Sequence, residues 1–272
     1  MQAILDPSLG AWISPQTVCG AAVDIAAGSV IRGHCKIGDH CSIGAGAVLD
    51  PGGDDAWIVL EAGAAVMASA TIAGQVHVFR GALIKPGAVV TRDVPPHAIV
   101  SGNPAQIIGY TTVSTGSPQP SDVSPPGVQG QVATKVRGVT LHRLSKVLDL
   151  RGNLTVGEFG RTLPFDAKRY FIVFDVPNAE VRGEHAHRTC QQFLICVHGH
   201  CSVVADDGHV RDEFTLDDPS VGLYLPPMTW GIQYKYSHDA VLLVFASEFY
   251  DSTEYIRDYG EFIDMIANGK RA

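Results

Sequence analysis

Two histidines separated by one residue stand in residues 182–188, which read RGEHAHR. Successive side chains of a β-strand alternate between its faces, so the imidazoles of His185 and His187 point to the same side. Neutral imidazoles are good ligands for zinc, iron or copper, and two on one face can share an ion. Imidazoles also titrate near neutral pH, which suits general acid–base catalysis. The pair therefore predicts a metal site, an acid–base site or a structural contact.

The further ligands that a metal would need are absent from the expected places. Gln191 stands four residues after the second histidine, where a carboxylate is required, and Trp230 and Gly231 stand where a later strand would supply a histidine. The sequence therefore favours acid–base chemistry and no metal at this pair.

Strand-like segments with turn residues between them surround the histidine pair. This pattern predicts a small β-barrel or sandwich. The segments are 170–176, 192–197, 201–205, 222–225 and 241–245. Apolar residues at near-helical spacing over 252–267 predict a helix that packs on the barrel.

Five segments between about residues 136 and 266 resemble the sugar-nucleotide 3,4-ketoisomerases of the FdtA/QdtA and WxcM-like group. They are 149–154 (DLRGNL), 163–170 (LPF with RY), 182–187 (RGEHAH), 225–230 (LPP with W) and 246–259 (ASEFYD with YIRDY). The resemblance implies a dimeric cupin-type barrel, or jelly roll. It also implies an enzyme that needs no metal and converts dTDP-4-keto-6-deoxyglucose into its 3-keto isomer.

The resemblance also implies roles for particular residues. His185 or His187 would remove the C3 proton, giving an enediol, and the other would relay protons. Guanidinium groups match phosphate oxygens and an enediolate, and aromatic side chains can hydrogen-bond the sugar or stack on the base. The further catalytic candidates are Tyr170 and Arg182, and the substrate-binding candidates are Arg169, Arg188, Tyr224 and Trp230. An aromatic in a strand is more often core, and Arg188 can equally be a solvated surface residue.

The N-terminal part carries apolar residues at intervals of six, a period that neither a helix nor an alternating strand produces. The positions are Ile13, Cys19, Ile25, Ile31, Ile37, Ile43 and Leu49, then Leu60, Val66, Ile72, Val78, Ile84 and Val90. Such repeats predict a three-faced β-helix in which these residues point into a narrow core. Glycines after the corners, such as Gly38 and Gly44, are expected to permit the tight turns.

Residues 11–110 resemble the hexapeptide acyltransferases, with VVTRDVP at 89–95 and SGNPA at 101–105 resembling their terminal coil. The resemblance implies a left-handed parallel β-helix, a trimer, and acetyl-CoA bound in the groove between neighbouring helices. Lys85, Arg92 and Ser101 are the candidates for binding acetyl-CoA. An acyltransferase needs a base for the attacking amine, and the available histidines are His34, His40, His77 and His97. We select His34 or His40.

The order of the two parts resembles WxcM-like bifunctional proteins. It implies both 3,4-ketoisomerisation and N-acetylation of a dTDP-3-amino-3,6-dideoxyhexose, in the synthesis of surface polysaccharides such as the O-antigen of lipopolysaccharide. Two alternatives stay open. The β-helix can be an inactive trimerising scaffold, since it has one loop-like break, at residues 50–58, and is otherwise rich in Ala, Gly and Val. The barrel can be a sugar-binding module without turnover.

The chain is accordingly predicted to be all-β, with a β-helix at 1–110, a Pro/Ser/Gly-rich linker at 111–135 and a cupin-type domain at 136–272. We expect a homo-oligomer, trimeric through the β-helix and dimeric through the barrel. The net charge of −8 over 272 residues disfavours nucleic acid as a partner. Without an apolar run of about 18 residues or a signal peptide, a cytoplasmic protein with no membrane partner is expected. The six cysteines are expected to be reduced, buried thiols.

Overall fold

The protein consists of two compact units in the computed structural model, Met1–Thr112 and Val113–Ala272. The structure describes residues 4–6, 10–112, 130–177 and 180–269. Residues 113–129, most of the predicted linker, lie outside these ranges. Strand Gly130–Ala133 falls within the predicted linker but pairs with Thr140–Arg143, so this end of the segment belongs to the second unit.

The first unit is built from short strands. They are β1 Ile4–Asp6, β2 Ala11–Ile13, β3 Val18–Cys19, β4 Asp24–Ile25, β5 Val30–Ile31, β6 His34–Ile37, β7 Ser42–Ile43, β8 Val48–Asp50, β9 Trp57–Leu60, β10 Ala65–Val66, β11 Thr71–Ala73, β12 Val76–Val78, β13 Leu83–Ile84, β14 Val89–Val90, β15 Ala98–Ser101 and β16 Gln106–Tyr110.

These strands stack into three sheets that form the faces of a parallel β-helix. Their orders are β1-β2-β5-β8-β11-β14, β12-β9-β6-β3 and β16-β15-β13-β10-β7-β4, and only the end pairs β1–β2 and β15–β16 are antiparallel. Val30 pairs with Val48, which gives an 18-residue coil of three hexapeptides. Val48 pairs with Thr71, five residues further than one coil, and the predicted break at 50–58 absorbs the difference.

The period-six residues fill the core of the β-helix, as the sequence predicts. From Ile31 to Val90 each of them is at most 1% exposed. The first coil differs, because it has a neighbouring coil on one side only. Cys19 is exposed there, so the prediction of a buried thiol is wrong for this residue, whereas the other five cysteines are buried and all six are free.

The corner glycines are needed for a different reason from the predicted one. Gly38 and Gly44 do not have positive φ angles. A Cβ on Gly44 would lie 2.5 Å from the backbone nitrogen of Ala68, and one on Gly38 would lie 2.8 Å from that of Ala62. The next coil therefore passes too close for a side chain, and packing between coils rather than turn conformation selects glycine here.

The second unit is also mostly strand. Its elements are β17 Gly130–Ala133, β18 Thr140–Arg143, β19 Ser145–Val147, β20 Leu154–Val156, β21 Arg169–Val173, β22 Arg182–His187, β23 Gln192–His198, β24 Cys201–Asp206, β25 Arg211–Leu216, β26 Val221–Leu225, β27 Trp230–Tyr234, β28 Val241–Ala246, a 3₁₀ turn Ser252–Glu254, β29 Tyr255–Ile256 and α1 Tyr259–Ala267.

Two facing sheets form the barrel, in the orders β17-β18-β26-β23-β28-β21 and β25-β24-β27-β22-β29. Their inner faces share a buried core that includes Leu194, Val203, Phe214, Leu223 and Leu242. This is the cupin-type jelly roll that the family resemblance implies, and it agrees with the barrel or sandwich that the strand pattern predicts.

The helix predicted over 252–267 is correct only in its second half. The segment begins with a 3₁₀ turn and a short strand, β29, which pairs with β22, and α1 starts at Tyr259. The carboxylate of Asp258 accepts a hydrogen bond from the backbone N–H of Glu261 and caps the helix.

Candidate active site

Strand β22 carries the histidine pair and contains a β-bulge. Arg182 pairs with Gln233 and His185 pairs with Gly231, so Glu184 is an additional residue in the ladder. Glu184 has a φ of 53°, in the left-handed region that few non-glycine residues adopt. Because one residue is inserted, Arg182 falls on the same face as His185 and not on the opposite face, where strict alternation would place it.

The two imidazoles lie in contact. Their Nε2 atoms are 3.2 Å apart. The ring of Tyr255, which pairs with His187 in the β22–β29 ladder, lies 4.4 Å from the ring of His187 and 4.9 Å from that of His185, between ring centroids. The side-chain amide of Gln192, at the start of β23, lies 3.0 Å from Nε2 of His187. Residues from three strands therefore fix the orientation of the pair.

The hydrogen bonds determine where the protons lie when both rings are neutral. His185 Nδ1 lies 2.9 Å from the carbonyl oxygen of Gly183, which can only accept, so Nδ1 carries the proton and Nε2 holds the lone pair. The side-chain NH₂ of Gln192 lies 3.0 Å from His187 Nε2 and donates to it, so this nitrogen also holds a lone pair. Two lone pairs then face each other across 3.2 Å, a contact that becomes a hydrogen bond when one proton is added. The pair can therefore take up one proton without rearrangement.

Burial and positive charge lower the pKa of both histidines. Burial is the main cause of the fall in the pKa of His187 to about 3, and the charges of His185, Arg169 and Arg257 add to it while Glu254 opposes it. For His185, burial lowers the pKa, the hydrogen bond to Gly183 opposes this fall, and Arg257 again lowers it. Both rings are therefore neutral at physiological pH and available to accept a proton.

Two arginines flank the pair. Arg169 donates from Nε to the backbone oxygen of Glu248 at 3.0 Å and from Nη2 to the hydroxyl of Tyr255 at 3.3 Å. Its guanidinium lies 5.5 Å from the ring centroid of Tyr250, and that of Arg257 lies 4.4 Å from the ring centroid of Tyr255. Guanidinium groups held by aromatic rings beside a base form a suitable environment for an anionic ligand.

Two of the predicted tyrosines lie away from the histidine pair. Tyr170 follows Arg169 in β21 and is exposed, because alternation turns it to the opposite face. The hydroxyl of Tyr224 donates to the side chain of Gln191 at 2.7 Å, and its ring packs with the outer cluster that contains Phe165. The roles of Tyr170 and Tyr224 at the site therefore stay predictions.

Trp230 and Arg188, which are two other predicted substrate-binding residues, contact the C-terminal helix α1. Trp230 is buried, with its ring centroid 5.2 Å from that of Tyr259 and 5.7 Å from that of Phe262. The guanidinium of Arg188 donates to Glu261 Oε1 at 2.8 Å and contacts the sulfur of Met265 at 3.2 Å. These contacts show that both side chains help to hold α1 on the barrel, and their role in substrate binding stays a prediction.

No group of three or more His, Cys, Asp and Glu residues suited to a metal ion occurs in the ranges that the structure describes. Gln191, which stands at the carboxylate position of a metal-binding barrel, is engaged by Tyr224. Within the same ranges no helix is long and apolar enough to cross a membrane.

The predicted acetyl-CoA residues occupy the last coils of the β-helix. Leu83 pairs with Ile99 and Ile84 with Val100, so the next residues, Lys85 and Ser101, stand at the same corner of adjacent coils. Arg92 is exposed in the turn after β14. Their role in binding acetyl-CoA stays a prediction.

The structure does not single out the two histidines that the sequence analysis selected as the acyltransferase base. The ring of His34 stacks on Trp57 with centroids 4.6 Å apart. His40 is an exposed turn residue with a φ of 57°. His77 and His97 instead line a cleft of about 630 Å³ on the β-helix.

A parallel β-helix of hexapeptide repeats, followed by a cupin-type barrel with a paired-histidine site, defines the two-domain architecture of this protein. Residues 137–267 match the family model described as WxcM-like, C-terminal. The TDP-4-oxo-6-deoxy-alpha-D-glucose-3,4-oxoisomerase of Aneurinibacillus thermoaerophilus is 44% identical over 122 residues, which cover 45% of this chain and 88% of that protein. The chain belongs to this family of sugar-nucleotide 3,4-ketoisomerases.

Further similarities concern each domain separately. A sugar 3,4-ketoisomerase structure from Thermoanaerobacterium thermosaccharolyticum in complex with TDP is 36% identical and covers 49% of this chain and 98% of that chain, with a TM-score of 0.48. Residues 16–51 match the bacterial transferase hexapeptide model. Serine acetyltransferase 4 of Arabidopsis thaliana is 37% identical over 109 residues, 39% of this chain. The chain spans about a quarter of that protein, since the match covers 26% of it.

Sequence reasoning missed three residues of the barrel site, Gln192, Tyr255 and Arg257. Tyr255 and Arg257 stand two apart, as the histidines do, which could have indicated a second strand facing the same side. The helix predicted over 252–267 concealed this signal. The sequence carries no signal for Gln192, because its role depends on the pairing of β23 with β26 and β28.

Proposed function

We propose that the C-terminal domain is a sugar-nucleotide 3,4-ketoisomerase acting on dTDP-4-keto-6-deoxyglucose. The observation that carries the proposal is the pair of neutral imidazoles 3.2 Å apart, with Arg169 and Arg257 beside them. The relative from Aneurinibacillus thermoaerophilus, whose name states this activity, supports the choice of substrate.

The proposed reaction moves the ketone from C4 to C3 through an enediol. One imidazole of the pair takes the C3 proton, and the two electrons of that C–H bond form the C3–C4 double bond while C4=O becomes an enolate. Proton transfer between the two oxygens and protonation of C4 complete the isomerisation, so no net proton is gained or lost. Arg169 and Arg257 stabilise the enediolate and the diphosphate, and the pair holds the proton between the steps.

Proton NMR with dTDP-4-keto-6-deoxyglucose in deuterated buffer tests the proposal. We expect a 3-keto sugar to form with solvent deuterium incorporated, both without added metal and after chelator treatment. Unchanged substrate that nevertheless binds would instead identify the barrel as a binding module without this turnover.

Single variants assign the two histidines. His185→Asn and His187→Asn should each reduce the isomerisation rate by about 10²-fold or more, the range typical of a lost general base. His209→Asn is the matched control, because this histidine is exposed in the turn before β25. Full activity in both site variants would contradict the proposal, whereas loss in one alone would identify that residue as the base.

We further propose that the β-helix transfers an acetyl group to the amine of a dTDP-3-amino-3,6-dideoxyhexose, a step that belongs to the synthesis of surface polysaccharide sugars. The similarity to acetyltransferases and the placement of Lys85 beside Ser101 support this second activity. Acetyl-CoA, when bound, supplies the thioester that the amine attacks. Lys85 and Ser101 would hold its phosphates, and Arg92 would add positive charge.

Calorimetric titration with acetyl-CoA tests the second activity. We expect binding that weakens at least tenfold in Lys85→Ala. Absence of binding would leave the β-helix as an inactive scaffold, which is the competing proposal. Light scattering on the same samples tests assembly, for which we propose trimers through the β-helix and dimers through the barrel.

A further inference from the structure

The cleft of about 630 Å³ on the β-helix contains a histidine paired with a carboxylate. It is lined by Lys36, Glu61, His77, Arg80 and His97, together with backbone and small residues around them. Lys36, Val59 and His77 stand side by side on β6, β9 and β12. None of the residues already assigned to acetyl-CoA lines this cleft, so it is a separate feature of the domain.

Glu61 and His77 form a fixed pair within the cleft. His77 Nε2 lies 3.1 Å from Glu61 Oε1, and the other oxygen of Glu61 accepts from the backbone N–H of Arg80 at 3.0 Å. The ring of His77 stacks on Phe79 with centroids 3.9 Å apart and planes 11° apart, and its backbone N–H donates to Asp93 Oδ1 at 2.7 Å. The ring is therefore held in place from several directions.

This arrangement selects one tautomer of His77. A carboxylate only accepts hydrogen bonds, so Nε2 of the neutral ring carries the proton and Nδ1 holds the basic lone pair. About a third of the side chain of His77 is exposed, which leaves it accessible to a ligand in the cleft. A carboxylate that fixes the tautomer of a base and stabilises its cation is the arrangement that activates a weak nucleophile such as an amine.

His97 is the other histidine of the cleft, and its position differs. Its ring lies against Gly81, where a Cβ would come within 2.6 Å of Nδ1. The same nitrogen lies 3.4 Å from the hydroxyl of Thr111. His97 therefore shapes the cleft wall, whereas His77 has the carboxylate partner.

We propose that Glu61 and His77 are the general base of the β-helix, acting on the amino group of the acetyl acceptor, and that the cleft is the acceptor site. This inference rests on the acetylation proposed above and replaces His34 and His40 as candidates for the base. As the amine nitrogen bonds to the acetyl carbon, its proton passes to Nδ1 of His77. The carbon–sulfur bond breaks, the thiolate leaves with the electron pair, and His77 returns the proton to it.

The test measures release of CoA thiol by the full chain with acetyl-CoA and a dTDP-3-amino-3,6-dideoxyhexose. His77→Asn should lower kcat by about 10²-fold or more, with KM for acetyl-CoA changed less than twofold. Glu61→Gln should lower kcat by about tenfold or more, because a neutral amide no longer stabilises the imidazolium that forms on His77. Added imidazole should partly restore turnover to His77→Gly, which a merely structural role would not predict.

The controls separate this inference from the activity on which it depends. Asp24→Asn, which removes an exposed carboxylate on β4, is matched to Glu61→Gln and should retain full turnover. Thermal melting of each variant checks folding. Unchanged kcat in His77→Asn, or a loss confined to His34→Asn, His40→Asn or His97→Asn, overturns the assignment while acetylation stands. If the unaltered protein neither binds acetyl-CoA nor releases thiol, the acetylation proposal fails and this inference fails with it.

Discussion

The basicity of the histidine pair depends on its charged neighbours. Arg169 and Arg257 contribute to the low pKa of His187, about 3 in the ligand-free protein, after the larger effect of burial. The diphosphate of a dTDP-sugar bound to these arginines would neutralise part of their charge. The substrate can therefore strengthen the base that acts on it, which links binding to catalysis at a single residue.

This link gives a measurable prediction for His187. Binding of dTDP should raise its pKa, because an anion near the ring favours the imidazolium form. Nitrogen-15 NMR of labelled histidine, recorded against pH with and without dTDP, measures the change. His209, which is exposed in the turn before β25, serves as the internal control. A lower pKa of His187 in the complex would contradict the proposed placement of the diphosphate.

The same residue predicts a loss of stability in acid. An unfolded chain binds a proton at His187 near pH 6.5, whereas the folded protein binds it only near pH 3. The unfolded state therefore holds more protons between these values, and the free energy of unfolding falls as the pH decreases through this window. The contribution from pH 7 to pH 5 is at most about 2 kcal/mol, since each unit of pH corresponds to about 1.4 kcal/mol.

Urea unfolding at pH 7 and pH 5 checks this expectation. The difference between the two pH values should be smaller in His187→Asn, which cannot titrate, by up to about 2 kcal/mol. His209→Asn serves as the comparison. An equal acid effect in His187→Asn and the unaltered protein would show that the buried ring does not govern it.

At the scale of elements, the bulge in β22 decides which side chains share a face. Alternation alone places His185 with His187 but would turn Arg182 away, since it stands three residues before His185. The insertion of Glu184 restores Arg182 to the face of the histidines. The placement of Arg182 therefore depends on a local irregularity that the hydrophobic pattern does not encode.

Glu184 forms the bulge, and we predict that its backbone conformation lowers the free energy of unfolding. Its φ of 53° is unfavourable for a residue with a side chain, and its Oε1 is buried with no hydrogen-bond partner in the described structure. Burial also raises its pKa. Glu184→Gly should therefore raise the free energy of unfolding by about 1 kcal/mol, because glycine adopts this φ without strain. We propose that Arg182 has the catalytic role that the family resemblance implies, so deletion of Glu184 should lower isomerisation, because it removes the bulge and turns Arg182 away.

Chemical denaturation and the NMR assay check both variants. Glu184→Ala is the matched control, since it removes the carboxyl group but keeps the unfavourable backbone conformation. If the free energy of unfolding rises as much in Glu184→Ala as in Glu184→Gly, the effect comes from the carboxyl group and not from the backbone. Isomerisation retained after deletion would show that the bulge is not required.

Much of the fold follows from periodicity in the sequence, but the sites follow only in part. The period of six gives the β-helix because each repeat contributes one side chain to a narrow core, and alternation gives the contact of His185 with His187. Tyr170 and Trp230 could not be placed, because their surroundings come from strands and a helix that are distant in sequence. The Glu61–His77 pair joins residues 16 positions apart through the stacking of coils, and neither residue carries a local signal.

At the scale of the whole molecule, the chain divides into units that each have a core of their own, Met1–Thr112 and Val113–Ala272. The β-helix core is a ladder of aliphatic residues, and the barrel core lies between its two sheets. Because each unit has a core of its own, we expect two separate cooperative transitions.

Ile43→Ala tests this independence. Ile43 is 1% exposed in the middle of the β-helix, and loss of a buried side chain of this size lowers the free energy of unfolding by about 2–5 kcal/mol. Calorimetry should show one transition shifted to lower temperature and the other unchanged, with the isomerisation rate at 25 °C unaffected. Ser42→Ala, at the neighbouring half-exposed position of β7, is the matched control and should shift neither. A parallel loss of isomerisation in Ile43→Ala would mean that the barrel depends on an intact β-helix, through assembly rather than through a shared core.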